Sequence, residues 1–217
     1  MKNIFDVAKN NPLFKAVGLS DFAPMLNCLS VKTVEYSKNE LILLSGDTVN
    51  FVGLILSGSV KILKGDMEGR ETVVNILGIS EVFGEELACA EVDHSPVTII
   101  AAEHSEIMLM DYKKIVRSCT NACLYHTILI KNMMKLLAVK NLQMAQKMEI
   151  LCQRTTREKL LSFLEAHRGA SKKFTIPYNR EELANYLCVD RSAMSNELSK
   201  MRDDGLIHYK KNTFEIL

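Results

Sequence analysis

The sequence is poor in the features that mark several large classes of protein. Its 217 residues include only four prolines and ten glycines. That scarcity excludes collagen-like repeats, and 47% hydrophobic residues argue against disorder. No apolar run approaches the roughly 18 residues that a membrane span requires. The opening segment, MKNIFDVAKNNPLF, lacks an apolar core of signal-peptide length and a small-residue cleavage site, so a cytoplasmic protein is expected.

Cysteines stand at 28, 89, 119, 123, 152 and 188, with no CxxC pair. They read as inert buried thiols in a reducing compartment, and no metal site is expected. Nucleophile elbow, P-loop and HExxH motifs are all missing, so no catalytic residue and no enzyme are expected. The adjacent Glu85 and Glu86, taken as neighbours on a strand, would point to opposite faces and could not act together.

Charge is distributed unevenly. Residues 1–110 carry 8 Lys and Arg against 15 Asp and Glu, residues 111–150 carry 7 against 2, and residues 151–217 carry 12 against 9. An acidic front and a basic rear fit a nucleic-acid surface confined to the second half.

The texture of the chain changes twice. Residues 1–28 read as one or two short helices, with Pro12 and Pro24 as breakers. Between Val31 and Asp111, short apolar runs such as FVGLIL, VKIL and VTIIA alternate with glycine turns, the pattern of a sandwich or barrel-like roll. Beyond Asp111 the pattern is helical, with one helix expected from about Thr120 to Leu151. At 1.5 Å per residue it would run roughly 48 Å, too long for one small domain to pack alone.

Ile130, Met134, Leu137, Asn141, Met144, Met148 and Leu151 recur on that helix at spacings of four and three, the seam of a coiled coil. Asn141 falls at an a position, where a paired asparagine fixes register and two-strandedness. A second stripe, Leu129, Met133 and Leu136, remains to pack on the roll. The expected division is a sensing domain at 1–118, a dimerisation helix at 119–152 and a terminal domain at 153–217, joined by a hinge at 152–156.

Residues 177–207, PYNREELANYLCVDRSAMSNELSKMRDDGLI, are the most informative stretch. Asn179 and Glu182 have the spacing of a capping box. Leu183 and Leu187 form the inner face of a first helix, and Cys188-Val189-Asp190 makes a turn. A second helix from Arg191 to about Asp203 buries Met194, Leu198 and Met201, leaving Arg191, Ser192, Ser195, Asn196 and Ser199 outward. Such a face can enter a major groove, with Arg matching guanine and Asn matching adenine. Two short strands around Lys210, Lys211 and Asn212 would form a wing whose lysines reach phosphate.

With these residues in view, the chain resembles the Crp-Fnr family of transcription regulators. The likeness rests on VGLILSGSVKIL, Phe83-Gly84-Glu85, the long helix and the REELANYL–DRSAMSNELSKMRDDGLI pair, and covers nearly the whole length. It implies an α+β fold: an N-terminal cyclic-nucleotide-binding-like β-roll (jelly roll), a long dimerisation helix and a C-terminal winged helix-turn-helix. It also implies a phosphate contact for Arg180 and base reading by Arg191. Asn196 stands where many members carry a second base-reading arginine, which suggests an altered operator. Cys188 replaces the usual turn glycine, which leaves a different bend open there.

The resemblance places an effector pocket at Gly84, Glu85, Glu86, Leu87, Ser95 and Pro96. Cyclic-AMP-responsive members follow Phe-Gly-Glu with an arginine that neutralises the cyclic phosphate. Here Asp93-His94-Ser95-Pro96-Val97 occupies that stretch, and between Arg70 and Lys113 there are nine acids and no Lys or Arg. A buried phosphate without countercharge loses several kcal/mol of hydration, so cyclic AMP is disfavoured and the effector stays unnamed. Cys28 alone does not make the N-terminal cluster of an Fnr-type iron–sulfur sensor; haem through His94 or His104 stays open, and the cofactor is unknown at this point.

The expected partners are double-stranded DNA with a pseudo-palindromic operator, a second copy of the chain, a small-molecule effector and RNA polymerase. No membrane is among them. The competing reading is a ligand-switched module that docks a protein in place of DNA.

Overall fold

The computed structural model describes residues 2–66, 68, 70–117, 124–169 and 171–217. Met1–Ala138 and Val139–Leu217 form two compact units. The expected helix start at Thr120, together with Cys119 and Cys123, lies outside the described residues.

The first unit begins with helices α1 (Lys2–Ala8) and α2 (Leu19–Cys28), with a short 3₁₀ turn at Pro12–Phe14 between them. Pro12 opens that turn. Pro24, expected to break a helix, lies inside α2 instead. It forfeits one hydrogen bond to the preceding turn, but the buried Phe22 and Met25 on either side keep α2 against the core.

Eight strands follow: β1 (Lys32–Tyr36), β2 (Leu41–Leu43), β3 (Phe51–Ser57), β4 (Val60–Gly65), β5 (Glu71–Leu77), β6 (Val82–Phe83), β7 (Thr98–Ala101) and β8 (Ser105–Asp111). They form two four-stranded antiparallel sheets, ordered β1-β8-β3-β6 and β2-β7-β4-β5. Between the sheets lie Leu43, Val49, Ile55, Val60, Phe83, Ala88, Ile99 and Ile107. The outer face of the first sheet supports a second core, where Val52, Leu54 and Leu56 of β3 and Met108 and Met110 of β8 meet the helices. Both strands are therefore covered on both faces, which explains their nearly unbroken apolar runs. Gly53 is required by this packing, since a β-carbon there would lie 2.3 Å from the Phe83 ring.

Short helices α3 (Glu85–Cys89) and α4 (Tyr112–Val116) complete the roll. The long helix α5 runs from Leu124 to Leu151, and the boundary between the two units falls within it. Its Leu129, Met133 and Leu136 are buried in the helix-side core of the first unit, as their spacing indicated.

The second unit continues with α6 (Thr156–Arg168), β9 (Lys173–Thr175), α7 (Arg180–Leu187), α8 (Arg191–Asp203), β10 (Ile207–Lys210) and β11 (Thr213–Ile216). Leu160, Phe163 and Leu164 of α6 pack with Leu183, Ala184 and Leu187 of α7 and Met194, Leu198 and Met201 of α8. Phe163 anchors this core, with its ring centroid 5.3 Å from that of Tyr186 and 4.0 Å from that of His167. The last two strands make the expected wing hairpin, and β9 adds a third strand in the order β10-β11-β9.

Candidate nucleic-acid interface

Local chemistry fixes the N-terminal ends of α6, α7 and α8. Thr155 and Glu158 form a capping box at α6, as Asn179 and Glu182 do at α7. Asp190 caps α8 by accepting from the Ala193 amide at 2.8 Å and from the Ser192 hydroxyl. Those donors, the Ser192 hydroxyl foremost, hold the Asp190 carboxyl below its usual pKa. Cys188 takes the left-handed conformation, φ 52° and ψ 51°, so the turn bends as glycine would bend it despite its β-carbon.

On α8, Met194, Leu198 and Met201 are buried while Arg191, Ser192 and Asn196 are exposed. Arg191 Nε lies 3.6 Å from Glu181 Oε2 at the start of α7. Ser195 and Ser199 are half-buried. Their hydroxyls donate back along the helix to Arg191 O (2.9 Å) and Ser195 O (3.2 Å), and Ser199 Oγ also stands 3.4 Å from the Tyr209 hydroxyl. The outward face is thus led by Arg191, Ser192 and Asn196.

Arg157, the second residue of α6, fixes α8 from behind. Its Nε lies 2.5 Å from Glu197 Oε1, and its Nη1 lies 2.7 Å from Asp204 Oδ2. No local pattern announces it, because its partners lie 40 and 47 positions away.

Lys210 and Lys211 are exposed at the tip of the wing, where Lys211 turns the hairpin at φ 53°. Arg180 is half-buried beneath that tip. Its guanidinium carbon sits 5.1 Å from the Tyr209 ring centroid and 5.2 Å from that of Phe214, and Nη2 donates to Lys211 O at 3.0 Å. Nη1 is buried without a hydrogen-bond partner. Burial lowers the pKa of this arginine from its ordinary value.

Of the expected effector residues, Gly84 to Leu87 lie at the start of α3, and Ser95 and Pro96 lie in the loop before β7. Gly84 precedes the helix at φ 80°, where a β-carbon would stand 3.1 Å from Phe51 O. Glu85 is fully buried, Glu86 is exposed and Leu87 is half-buried. Glu85 and Glu86 open a helix, which corrects the strand reading of that pair. Ser95 is buried, and its hydroxyl donates to Val97 O at 2.7 Å, whereas Pro96 is exposed. His94 is exposed, with Nδ1 2.8 Å from Gly46 O.

On α5, the expected seam divides by exposure. Met134, Asn141, Met144 and Met148 are exposed, and Ile130, Leu137 and Leu151 are half-buried. Leu142, outside the expected seam, is exposed as well.

An antiparallel double-sheet roll in one unit and a winged helix-turn-helix in the other define a class of protein, the transcription regulators that carry a cyclic-nucleotide-binding-like roll. The comparisons with known proteins agree. The profile of the Cyclic nucleotide-binding domain matches residues 33–121, and that of the Crp-like helix-turn-helix domain matches residues 158–217. The chain belongs to the Crp-Fnr family and is a DNA-binding transcription regulator of that type. It is 23% identical to the Cyclic AMP receptor protein of Thermus thermophilus over 215 residues, 96% of this chain and 93% of that one. To the Transcriptional activator protein FnrA of Stutzerimonas stutzeri it is 22% identical, over 83% of this chain and 74% of the relative. Among solved structures, the catabolite activator protein of Thermus thermophilus superposes with a TM-score of 0.51 at 20% identity, covering 95% of this chain and 94% of that one. The c-di-GMP responsive regulator CLP of Xanthomonas campestris gives 0.56 at 20% identity, covering 89% and 98%. Among the described residues, no helix is long and apolar enough to cross a membrane.

Proposed function

We propose that the chain acts as a cytoplasmic homodimer that reads a pseudo-palindromic operator with Arg191, Ser192 and Asn196, while Lys210 and Lys211 contact phosphate. The observation that carries this reading is the division of α8, apolar residues inward and Arg191, Ser192 and Asn196 exposed along its N-terminal half. Ser195 and Ser199 border the same face. Dimerisation places Asn141 opposite its counterpart and covers Met134, Met144 and Met148, which a lone protomer exposes. The domain division at 118/119 and 152/153 is part of the same proposal, as is recruitment of RNA polymerase by the bound dimer.

An effector acts at the roll through Gly84, Glu85, Glu86, Leu87, Ser95 and Pro96, and it is not cyclic AMP. Support for that exclusion comes from the acid-rich stretch 71–111 with no Lys or Arg, and from a Ser95 hydroxyl already committed to Val97. Calorimetric titration with cyclic AMP is expected to give no saturable heat.

The decisive experiment selects bound duplexes from a random pool, then measures affinity for the selected site and for a scrambled one as salt is raised. The selected site should bind about 10³-fold or more tighter than the scrambled one, and both affinities should fall steeply with salt. A pool that yields no consensus overturns the reading.

A further inference from the structure

The first turn of α7 carries two adjacent acids with different duties. Glu182 belongs to the capping box, where it accepts from the Asn179 amide at 2.7 Å. Glu181 has no part in that cap. Its Oε2 lies 3.6 Å from Nε of Arg191, the first residue of α8, across the turn that joins the two helices. Both side chains are open to solvent, 64% exposed for Arg191 and 63% for Glu181. An exposed pair of this kind contributes little to stability, so folding does not account for the acid.

Nor does affinity account for it. In a helix-turn-helix the first helix crosses the DNA backbone, which brings an exposed carboxylate in its first turn toward phosphate. Repulsion there weakens binding to every sequence alike. What the carboxylate supplies is direction. Arg191 is long and rich in rotamers, and reading guanine requires its planar fork in one orientation. Glu181 engages it at Nε, and among the described residues Nη1 and Nη2 have no hydrogen-bond partner. That leaves the terminal pair for guanine O6 and N7, a bidentate contact. Ser192, the next residue, is instead committed to the Asp190 cap of its own helix.

We propose that Glu181 is a positioning residue of the DNA interface, setting the Arg191 guanidinium for its base and exchanging general affinity for selectivity. The inference rests on the base-reading role given to Arg191 and adds the residue that orients it. The repulsion acts on all DNA, whereas the gain is confined to one base in each half-site.

The test uses the full-length chain on the selected and scrambled duplexes, with Glu181→Gln, Arg191→Ala and the double variant. Gln keeps the shape of Glu and removes its charge. On scrambled DNA, Glu181→Gln should bind at least as tightly as the wild type. Its preference for the selected site should fall about tenfold, from a coupling repeated in both half-sites. When each operator position is substituted in turn, selectivity should relax at the base pair that Arg191→Ala also relaxes. In the Arg191→Ala background the same Glu181→Gln change should alter the preference by less than about twofold. Glu165→Gln, which removes another exposed acid from α6, should leave the preference unchanged. Denaturant midpoints of the wild type and Glu181→Gln should coincide, because the pair is open to solvent. The proposal is overturned if Glu181→Gln keeps the wild-type preference, or lowers it equally with Arg191 present and absent. If Arg191→Ala itself leaves the preference intact, the base-reading assignment fails and this inference with it, so the two failures are told apart.

Discussion

Gly53 and Arg180 show how single positions carry more than their type suggests. Any β-carbon at Gly53 would stand 2.3 Å from the Phe83 ring, and both residues are buried. Gly53→Ala is therefore expected to destabilise the protein by about 1–3 kcal/mol, the usual penalty for overpacking, seen as a lower denaturant midpoint at unchanged slope. Family likeness gave Arg180 a phosphate to bind. The observed guanidinium instead spans two aromatic faces and holds the Lys211 carbonyl, so it also keeps the wing in place. Arg180→Lys retains the charge but not the planar fork, and should lower stability by about 1 kcal/mol. Faster amide exchange should appear at Lys211 and Asn212, while a residue that served phosphate alone would leave the free protein's wing unaltered.

At the scale of elements, patterns confined to a few neighbouring residues were legible and long-range pairings were not. The capping box at Asn179, the buried stripe Leu129-Met133-Leu136 and the inward methionines of α8 could all be read from spacing, because the physics that sets them acts within one or two turns. The strands of the roll showed themselves through alternating cores and glycine turns. Pro24 inside α2, the helical start at Glu85 and the third strand β9 escaped, since each depends on what packs against it. The pairing of Arg157 escaped for the same reason, with partners 40 and 47 positions distant.

Two elements yield predictions. The Asp190 cap of α8 rests on a carboxyl whose pKa is lowered in the folded chain, so its stabilisation is complete above the unfolded aspartate value. It is lost as pH falls through the lower folded value. Amide exchange at Ala193 should accelerate over that acid window, and Asp190→Asn, which caps without titrating, should abolish the acceleration. On α5, Met144→Glu places a charge in the exposed stripe shared with Met148. Sedimentation should show dimerisation weakened by about tenfold or more, whereas a stripe that meets only solvent would tolerate the change.

The whole molecule adds symmetry to these local features. In the proposed dimer two recognition helices about one DNA turn apart, roughly 34 Å, would bring each Arg191 to an equivalent base in its own half-site. Replacing one base-reading arginine should cost about 1–3 kcal/mol on the selected operator. Because the two half-sites lie well beyond direct contact, the losses should add. A mixed dimer, one protomer wild type and the other Arg191→Ala, should then bind with a dissociation constant at the geometric mean of the two homodimers. If only one protomer read bases, each mixed dimer could present its wild-type protomer to that half-site, and its dissociation constant would stay within about twofold of the wild type. If Arg191 met phosphate alone, the loss would be equal on selected and scrambled DNA and the salt slope would fall by about one for each arginine removed. Measuring all three species on both duplexes at two salt concentrations separates these cases. The mean relation, with loss confined to the selected duplex, requires both the dimer and the outward face of α8.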